Sequence, residues 1–398
     1  MAHIVVVTLG TRGDVVPFLA LGSALRDAGH RFTIATHGSL RTHVEGAGLG
    51  FAALPVEFGT SGPLTSTELA RVLAGHWLEV GRAVAAASKD ADLLLLGASG
   101  WIGYHVAQAR GVPSMGAFLQ PLEPTRAFPP ALLTTRSLGG WGNLTAARAF
   151  RLLGQAPFAR QTAALRRELG LPPRSPAATF RQMDAERWPV LHGFSPAVVP
   201  PPADWPAYRP VTGYWWPPPG GELSPRLQRF LDDGEPPVFV GFGSMTGHQL
   251  SDLIHRTGCR AVVQGSAGPD RAGPDRAGAD SRNVLAVGDE PHAALFPRVA
   301  VAVHHAGAGT TAAALRAGVP AVCVPFTADQ PFWAHRVAAL GAGPPPLRRR
   351  GLTWQRLAGA IEAARGCRPG AAAIAAKLAA EDGVGRAVAE ITRRLPVA

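Results

Sequence analysis

The chain has 398 residues, and its 46% apolar and 17% charged residues are typical of a globular protein. No stretch approaches the roughly 18 consecutive apolar residues that span a bilayer, and three scattered cysteines without a CxxC pair argue against a disulfide framework or a zinc site. The formal net charge of +11 comes from dispersed arginines without a nucleic-acid-binding motif. We therefore expect neither stable membrane insertion nor a nucleic-acid partner.

The N-terminal third alternates short apolar runs with amphipathic stretches. "HIVVVTLG" lacks the features of a signal peptide, so it predicts a first strand at 4–9 and a cytoplasmic protein. A helix is expected to start at Pro17 and end at Gly29, followed by a strand at 31–36. The pattern returns with strands at 92–98 and 113–119. This alternation predicts βαβ units in a parallel sheet.

Two irregular stretches interrupt the pattern. Residues 120–150 are rich in Pro, Leu and aromatic residues and predict a long functional loop. "VTGYWWPPPGGELSP" at 211–225 is typical of an interdomain linker. We therefore place the domain boundary near residue 218. The prediction is an N-terminal domain over 1–217, a second domain over 218–380, and a C-terminal helix within 381–398 that crosses back to the first domain.

The βα alternation then restarts and predicts a second doubly wound sheet. Its expected strands lie at 237–244, 260–265, 283–288, 299–305 and 320–326. Between two of them, the tandem tract "AGPDRAGPDRAGAD" at 267–280 has too few apolar residues to pack a core. We expect this tract to form a surface loop.

A strand-to-helix turn in the second half has the composition of an anion site. In "VHHAGAGTTAAALRAGVP", the predicted turn covers 306–311, at the carboxyl edge of a parallel sheet. Gly307 and Gly309 allow close backbone approach, free amides and the helix dipole favour an anion, and Thr310 and Thr311 add hydroxyl donors. A pyrophosphate fits this description, whereas tight packing of the turn is the alternative.

Side chains beside this turn complete the predicted site. Strand alternation lets one histidine face a ligand while the other packs, and we expect His305 to donate to a phosphate oxygen and His304 to pack. After the next strand, Asp329 and Gln330 offer acceptors and an amide donor suited to sugar hydroxyls. Asp329 is also a plausible helix N-cap.

Four segments together resemble a known family. "LGTRGDVVPFLALGSAL", "VFVGFGS", "HHAGAGTT" and "GVPAVCVPFTADQPFWAHRV" resemble bacterial nucleotide-sugar glycosyltransferases of the GT-B fold, nearest the branch of glycopeptide-antibiotic and sterol glucosyltransferases. The resemblance implies an α/β protein with two Rossmann-like, doubly wound parallel-sheet domains facing a deep cleft. It also implies a nucleotide sugar as co-substrate, no further cofactor, no metal, and a monomer or homodimer.

The resemblance assigns donor-binding roles. Asp329 and Gln330 would bind the sugar. Plant members of the family use a tryptophan to stack on the base and a glutamate to bind the ribose. Gly288 and Ala313 stand nearest those positions here, so backbone groups around Val287 and Gly288 would bind the base. The resemblance therefore does not decide between a UDP-sugar and a dTDP-sugar. The diphosphate would be bound by Gly10, Thr11, Ser244, His305, Gly307, Ala308, Gly309, Thr310 and Thr311.

Asp14 of "GTRGDVVP" stands where plant relatives have a histidine base and the antibiotic branch an aspartate. On the loop between the first strand and its helix, this carboxylate could take the proton of an acceptor hydroxyl. The nearby helix N-terminus should lower its basicity, and helix capping is the alternative role. A bulky apolar acceptor is expected to contact His76, Trp77, Phe118, Phe128 and Trp141, although core packing is the alternative for each aromatic.

These observations predict an inverting, metal-independent glycosyltransferase that moves a sugar from a UDP- or dTDP-sugar to a hydroxyl of a lipophilic natural product, such as an antibiotic or polyketide-type aglycone. The metal-binding DxD pattern of A-type glycosyltransferases is matched only by Asp90 and Asp92, which precede a strand and so lie at the wrong sheet edge. Two alternatives remain. One is a sterol or lipid glucosyltransferase, expected to carry a basic or amphipathic N-terminal segment, and the other is a non-catalytic auxiliary relative.

Overall fold

The computed structural model describes residues 1–57, 66–217, 220–242, 248–265 and 283–395. Within this part, the chain forms two compact units. The first holds 1–57, 66–217 and 381–395, and the second holds the described residues from 220 to 380.

The first unit contains a six-stranded sheet in which every pairing is parallel. The strand order, β3-β2-β1-β4-β5-β6, is that of a doubly wound Rossmann sheet. The predicted strands at 4–9, 31–36, 92–98 and 113–119 are confirmed, and two more strands complete the sheet. The strands are β1 His3–Val7, β2 Arg31–His37, β3 Gly50–Leu54, β4 Leu93–Leu96, β5 Ser114–Phe118 and β6 Val190–His192.

Helices cover both faces of this sheet, and each face has its own apolar core. Alternate residues of the central strands face opposite cores: Val5 and Val7 lie in one, Ile4 and Val6 in the other. The helices are α1 Arg12–Asp27, α2 Arg41–Gly46, α3 Ser66–Gly75, α4 Trp77–Ala87, α5 Gly103–Arg110, α6 Gly139–Leu153, α7 Ala159–Glu168 and α8 Pro176–Ala185, with the C-terminal α16 Gly383–Thr392.

Helix α1 begins more than one turn before Pro17, so the predicted start at this proline is wrong. Thr11 is the N-cap, and the Asp14 carboxylate accepts a hydrogen bond from its amide at 2.8 Å. Together with burial of Val15, this bond stabilises a first turn that precedes the proline. Gly29 follows the C-cap with φ +85°, so the predicted helix end is confirmed.

Part of the predicted 120–150 loop is helical. Residues 119–138 are largely irregular, but α6 occupies Gly139–Leu153. Glycines 139, 140 and 142 obscured the helical periodicity of this segment, although Leu144 and Ala147 form a short buried stripe at helical spacing.

The second unit contains a five-stranded parallel sheet with strand order β11-β10-β7-β8-β9. All five predicted strands are present, each shorter than its apolar run. They are β7 Val238–Gly241, β8 Ala261–Gln264, β9 Val284–Val287, β10 Val301–His304 and β11 Ala321–Cys323. The helices are α9 Pro225–Asp232, α10 His248–Thr257, α11 His292–Leu295, α12 Ala308–Arg316, α13 Gln330–Ala339, α14 Trp354–Arg365 and α15 Arg368–Ala379. The tract at 267–280 lies outside the described residues.

Helix α16 packs on the first unit. Ala387 and Ile391 are buried in the core that also contains Phe18 of α1. Gly383 permits a close approach at the start of α16, because a Cβ there would lie 2.2 Å from the Tyr214 carbonyl oxygen. Among the described residues, no helix has the length and apolarity required to cross a bilayer.

We predict that Gly383→Ala destabilises the first unit by about 1–3 kcal/mol, because the new methyl group must displace the backbone at Tyr214. Gly46→Ala is the control, since a Cβ at Gly46 meets no atom within 4 Å. Its free energy of unfolding should stay within about 0.5 kcal/mol of the parent. Chemical denaturation measures both, and equal stability of the two variants would contradict the close approach of α16.

Candidate active site

Asp14 lies in a small recess at the carboxyl edge of the first unit's sheet. The recess is formed where β1, β4 and β5 end, and its polar lining consists of Thr8, Asp14, Ser99 and Gln120. β1 and β4 are neighbours in the sheet, but the chain continues from β1 to β2 on one side and from β4 to β5 on the other. Doubly wound proteins bind ligands at such a topological switch point.

The two oxygens of the Asp14 carboxylate have different surroundings. Oδ2 accepts hydrogen bonds from the Thr11 amide at 2.8 Å and the Thr11 hydroxyl at 3.0 Å, whereas Oδ1 accepts a longer one from Gln120 Nε2 at 3.4 Å. Gly10, with φ +153°, lies against the carboxylate, and a Cβ there would be 2.3 Å from Oδ2. Asp14 therefore stabilises the helix start and also presents one weakly bonded oxygen.

Two expectations about Asp14 need correction. It belongs to the first turn of α1 and not to the preceding loop. Burial raises the pKa of Asp14, and the hydrogen bonds from Thr11 and Gln120 only partly oppose this shift. The net direction is opposite to the one expected from the helix dipole, because desolvation of the carboxylate outweighs the donors around it.

Thr11 and Gly10 lie in the first unit with Asp14. The Thr11 amide and hydroxyl both donate to Asp14, and the Gly10 carbonyl accepts from His37 Nε2 at 2.8 Å. These bonds hold both residues in place at the recess. Contact of either residue with a diphosphate stays a prediction. His37, at the end of β2, was missed by the sequence analysis.

The predicted acceptor residues Phe118 and Phe128 belong to one aromatic cluster at the same sheet edge. Phe118 ends β5 and packs edge-on against His192, its register partner on β6. His192 stacks on Trp205 with ring centroids 4.3 Å apart, and Trp205 contacts Phe128. Both phenylalanines are half-buried, so each retains an exposed edge.

The other predicted acceptor residues lie elsewhere. Trp77 is 1% exposed and donates to Thr162 inside the core, which gives it the packing role named as the alternative. His76, beside it, is exposed. Trp141 on α6 is 71% exposed, with the Arg126 guanidinium 4.1 Å from its ring centroid.

In the second unit, His304 holds the turn after β10. Its Nδ1 accepts the Ala306 amide at 3.0 Å, so the ring proton resides on Nε2. This bond fixes Ala306 at φ +62°, a backbone conformation that costs a non-glycine residue about 1–3 kcal/mol. Burial lowers the pKa of His304 to about 3. His304 is therefore a neutral structural residue.

His305 and the start of α12 form the predicted anion site. Helix α12 begins at Ala308 with Gly307 as its N-cap, so the turn is shorter than the predicted 306–311. The His305 ring covers Gly307, where a Cβ would lie 2.5 Å from Nε2. Burial lowers the pKa of His305, and the Gly241 backbone partly opposes this shift. The imidazole is thus neutral beside the first amides of α12, which have no partner within the helix.

The three remaining residues of this turn are helical. Gly309 is exposed and Thr310 half-buried in the first turn of α12. Thr311 is completely buried, its amide bonds to the Gly307 carbonyl, and its hydroxyl has no partner within the described part of the chain. A hydroxyl so placed does not reach solvent, which weakens the expectation that Thr311 contacts a diphosphate.

Asp329 and Gln330 follow β11, the neighbour of β10. Gln330 Oε1 accepts the amides of Phe326 and Thr327 at 2.8 and 3.1 Å, and Asp329 Oδ2 accepts the Trp333 indole at 2.7 Å. Asp329 occupies the N-cap position of α13 without capping it through its side chain. Both side chains are half-buried, and one oxygen of each is engaged in these local hydrogen bonds.

Val287 ends β9 and, with Gly288, is half-buried at the same edge of the sheet. The predicted Ser244 lies outside the described residues. The sequence analysis also missed Ser99, Gln120 and His192, although each lies at or just beyond the carboxyl end of a strand. Scoring polar residues at those ends would have found them.

Comparisons with known proteins bear on the fold and the family of the chain. Residues 4–114 match the model of the glycosyltransferase family 28 N-terminal domain. Residues 270–396 match that of the erythromycin biosynthesis protein CIII-like C-terminal domain. Together the two matches span more than half of the chain, the first within the first unit and the second mostly within the second unit.

Sterol 3-beta-glucosyltransferases are among the curated relatives. The protein from Cryptococcus neoformans is 34% identical over 89% of this chain and 24% of its own length, and that from Yarrowia lipolytica is 32% identical over 98% and 29%. The chain thus spans about a quarter of the length of these relatives.

Solved structures of antibiotic glycosyltransferases share the fold. The glycotransferase of kitacinnamycin aligns with a TM-score of 0.74 at 20% identity, covering 99% of both chains. The calicheamicin glycosyltransferase CalG4 aligns with a TM-score of 0.73 at 21% identity, covering 99% of this chain and 98% of its own. SsfS6 from Streptomyces sp. SF2575, complexed with thymidine diphosphate, has a TM-score of 0.62 at 21% identity over 99% of this chain and its full length.

We predict that His192 makes the first unit sensitive to acid. Burial lowers the pKa of His192 to about 3, so between pH 6.5 and 3 the unfolded chain binds a proton that the folded chain does not. Its contribution to the free energy of unfolding should fall by about 2 kcal/mol from pH 7 to pH 5. His192→Phe should remove this part of the pH dependence, measured by denaturant unfolding at both pH values. An equal loss of free energy of unfolding between pH 7 and pH 5 in parent and variant would contradict the prediction.

Proposed function

The chain belongs to the glycosyltransferases of the GT-B fold, and we propose that it is an inverting, metal-independent enzyme. It moves a sugar from a UDP- or dTDP-sugar to a hydroxyl of a lipophilic natural product. Both family models and the curated relatives support the reaction class. The structure complexed with thymidine diphosphate supports a nucleoside diphosphate as the leaving group.

The observation that carries the proposal is the Asp14 carboxylate, half-buried in the recess with one oxygen tied to Thr11. Asp14 takes the proton of the acceptor hydroxyl while that oxygen forms a bond to C1 of the sugar. The bond from C1 to the diphosphate breaks, and its electron pair leaves with the diphosphate. Displacement from the opposite face inverts C1, so an α-linked donor gives a β-glycoside and a β-L donor an α-glycoside.

The second unit offsets the charge of the departing diphosphate. A neutral His305 donates one N–H, and the first amides of α12 direct the positive end of the helix dipole at the same place. Donors fixed in advance need no reorganisation as charge develops, which allows catalysis without a metal ion. Backbone groups at Val287 and Gly288 read the base.

A sterol or lipid glucosyltransferase is the second candidate, favoured by the 34% identity to a sterol 3-beta-glucosyltransferase. The aromatic edges of Phe118 and Phe128 suit either a planar aglycone or a sterol ring system. Turnover of an acceptor panel containing sterols and polyketide aglycones, with both UDP- and dTDP-sugars, separates the two candidates.

We predict that Asp14→Asn lowers turnover by about 10²- to 10⁴-fold, because the amide cannot accept the hydroxyl proton. Asn still offers an oxygen to the Thr11 amide, so the variant should fold and bind nucleotide, as calorimetry would show. In the active parent, kcat/KM should fall as the pH drops through the raised pKa of Asp14, and this limb should be absent from the residual activity of the variant.

Asp382→Asn is the matched control for this variant. Asp382 caps α16 through a hydrogen bond from the Gly385 amide at 2.8 Å, so its substitution likewise removes the charge of a helix-capping carboxylate while keeping an oxygen for the amide. Turnover should be unchanged in this control. Equal losses in the two variants would assign the effect to helix capping and remove Asp14 as the base.

We predict that Gly307→Ala weakens binding of a nucleoside diphosphate about tenfold, because the new methyl group displaces the His305 ring and costs one charge-assisted hydrogen bond. Calorimetry with UDP and dTDP measures the change. Gly359→Ala in α14 is the control, since a Cβ there meets no atom within 4 Å. Unaltered affinity in Gly307→Ala would place the diphosphate elsewhere.

A further inference from the structure

Large apolar side chains are exposed in one region of the chain. Apart from Met1, every exposed large hydrophobic residue in the described part of the chain lies between 132 and 153, on the connection from β5 to α6 and on α6 itself. Leu133, Trp141 and Leu153 are 58%, 71% and 69% exposed. The others are Leu132, Leu138 and Leu152. Such a concentration marks an interaction surface.

The same region is strongly basic. Residues 124–167 contain no Asp or Glu, and we call residues 126–160 the apolar-basic segment. Its exposed arginines are Arg126, Arg136, Arg148 and Arg160, of which the last three form no ion pair with any described residue. Arg151 and Arg209 together pair with Glu123 and Asp184, which neutralises those two acids. The surface therefore presents a positive field around its leucines.

The positive charge of the apolar-basic segment distinguishes between possible binding partners. In a two-fold contact between two copies, the same patch meets itself, so unpaired arginines would face arginines across a leucine-rich surface. Nucleic acid would pair with the arginines but gives the leucines no apolar partner. An anionic bilayer satisfies both, because leucines and tryptophan enter the interfacial layer while arginines remain among the phosphates.

We propose that the apolar-basic segment docks peripherally on an anionic lipid surface. Trp141 and its neighbouring leucines would insert at the level of the headgroups, with the Arg126 guanidinium stacked on the indole. The segment follows β5, whose carboxyl end also leads to Gln120 and the Asp14 recess. Docking would bring that edge of the unit to the phase in which a lipophilic acceptor dissolves, a consequence that rests on the proposed function.

The proposal is tested by co-sedimentation with vesicles of phosphatidylcholine alone and of phosphatidylcholine mixed with phosphatidylglycerol. We expect the full chain to bind only the mixed vesicles, and less at higher salt. Replacing both Arg136 and Arg148 by Gln should weaken binding about 25-fold. Trp141→Ser combined with Leu153→Ser should weaken it about tenfold or more. All four side chains are exposed, so the variants should melt like the parent.

A charge-matched control replaces Arg348 and Arg350, two exposed arginines of the second unit, by Gln. It has the same net charge as the first variant and should bind vesicles about as well as the parent. Equal weakening in both charge variants, or full binding by the Trp141 and Leu153 variant, would overturn the proposal. So would absence of binding to mixed vesicles, or lipid-free light scattering that shows self-association abolished by the same substitutions. The assay needs no donor or acceptor, so its result is independent of the proposed reaction.

Discussion

Parallel strand pairing is the constraint on which the candidate site depends. When all strands of a sheet run in one direction, their carboxyl ends share an edge, and the helices that follow begin there with unbonded amides. In the first unit this edge brings together Asp14, Gln120 and His192 from distant parts of the chain. In the second unit it brings His305 beside the turn that carries Asp329. The strand order therefore decides which side chains become neighbours at each edge.

The sequence predicted those elements whose apolar runs are long and uninterrupted. Buried strands such as Val301–His304 are continuous apolar runs and were recognised, whereas Val190–His192 is too short to stand out. Pro17 suggested a helix start because proline is common at first-turn positions, yet a hydrogen bond from the Thr11 amide to the Asp14 carboxylate stabilises an earlier start. Motifs identified Asp14 and His305, but the contacts of Gln120 and His37 depend on tertiary packing that local patterns do not encode.

The direction of the pKa shift of Asp14 depends on burial, which the sequence alone does not show. From the sequence, a helix N-terminus predicts a stabilised carboxylate and therefore a weaker base. In the structure, the desolvation of the recess outweighs the donors from Thr11 and Gln120, and the pKa rises. The same bond to Thr11 that starts α1 also fixes the direction of the carboxylate. The raised pKa makes the carboxylate a stronger base and the bond to Thr11 holds it in place, so both features support its proposed role in proton transfer.

The two adjacent histidines of the second unit differ in role because their neighbours engage different ring atoms. The Ala306 amide occupies Nδ1 of His304, which leaves that ring buried, neutral and committed to the backbone. The resulting left-handed conformation at Ala306 directs the chain into α12 with Gly307 as the N-cap, and the His305 ring closes over that glycine. His304 thus positions the amides that the proposed function requires, and His305 is the proposed side-chain donor. A single buried hydrogen bond between residues two apart therefore sets the geometry of the proposed anion site.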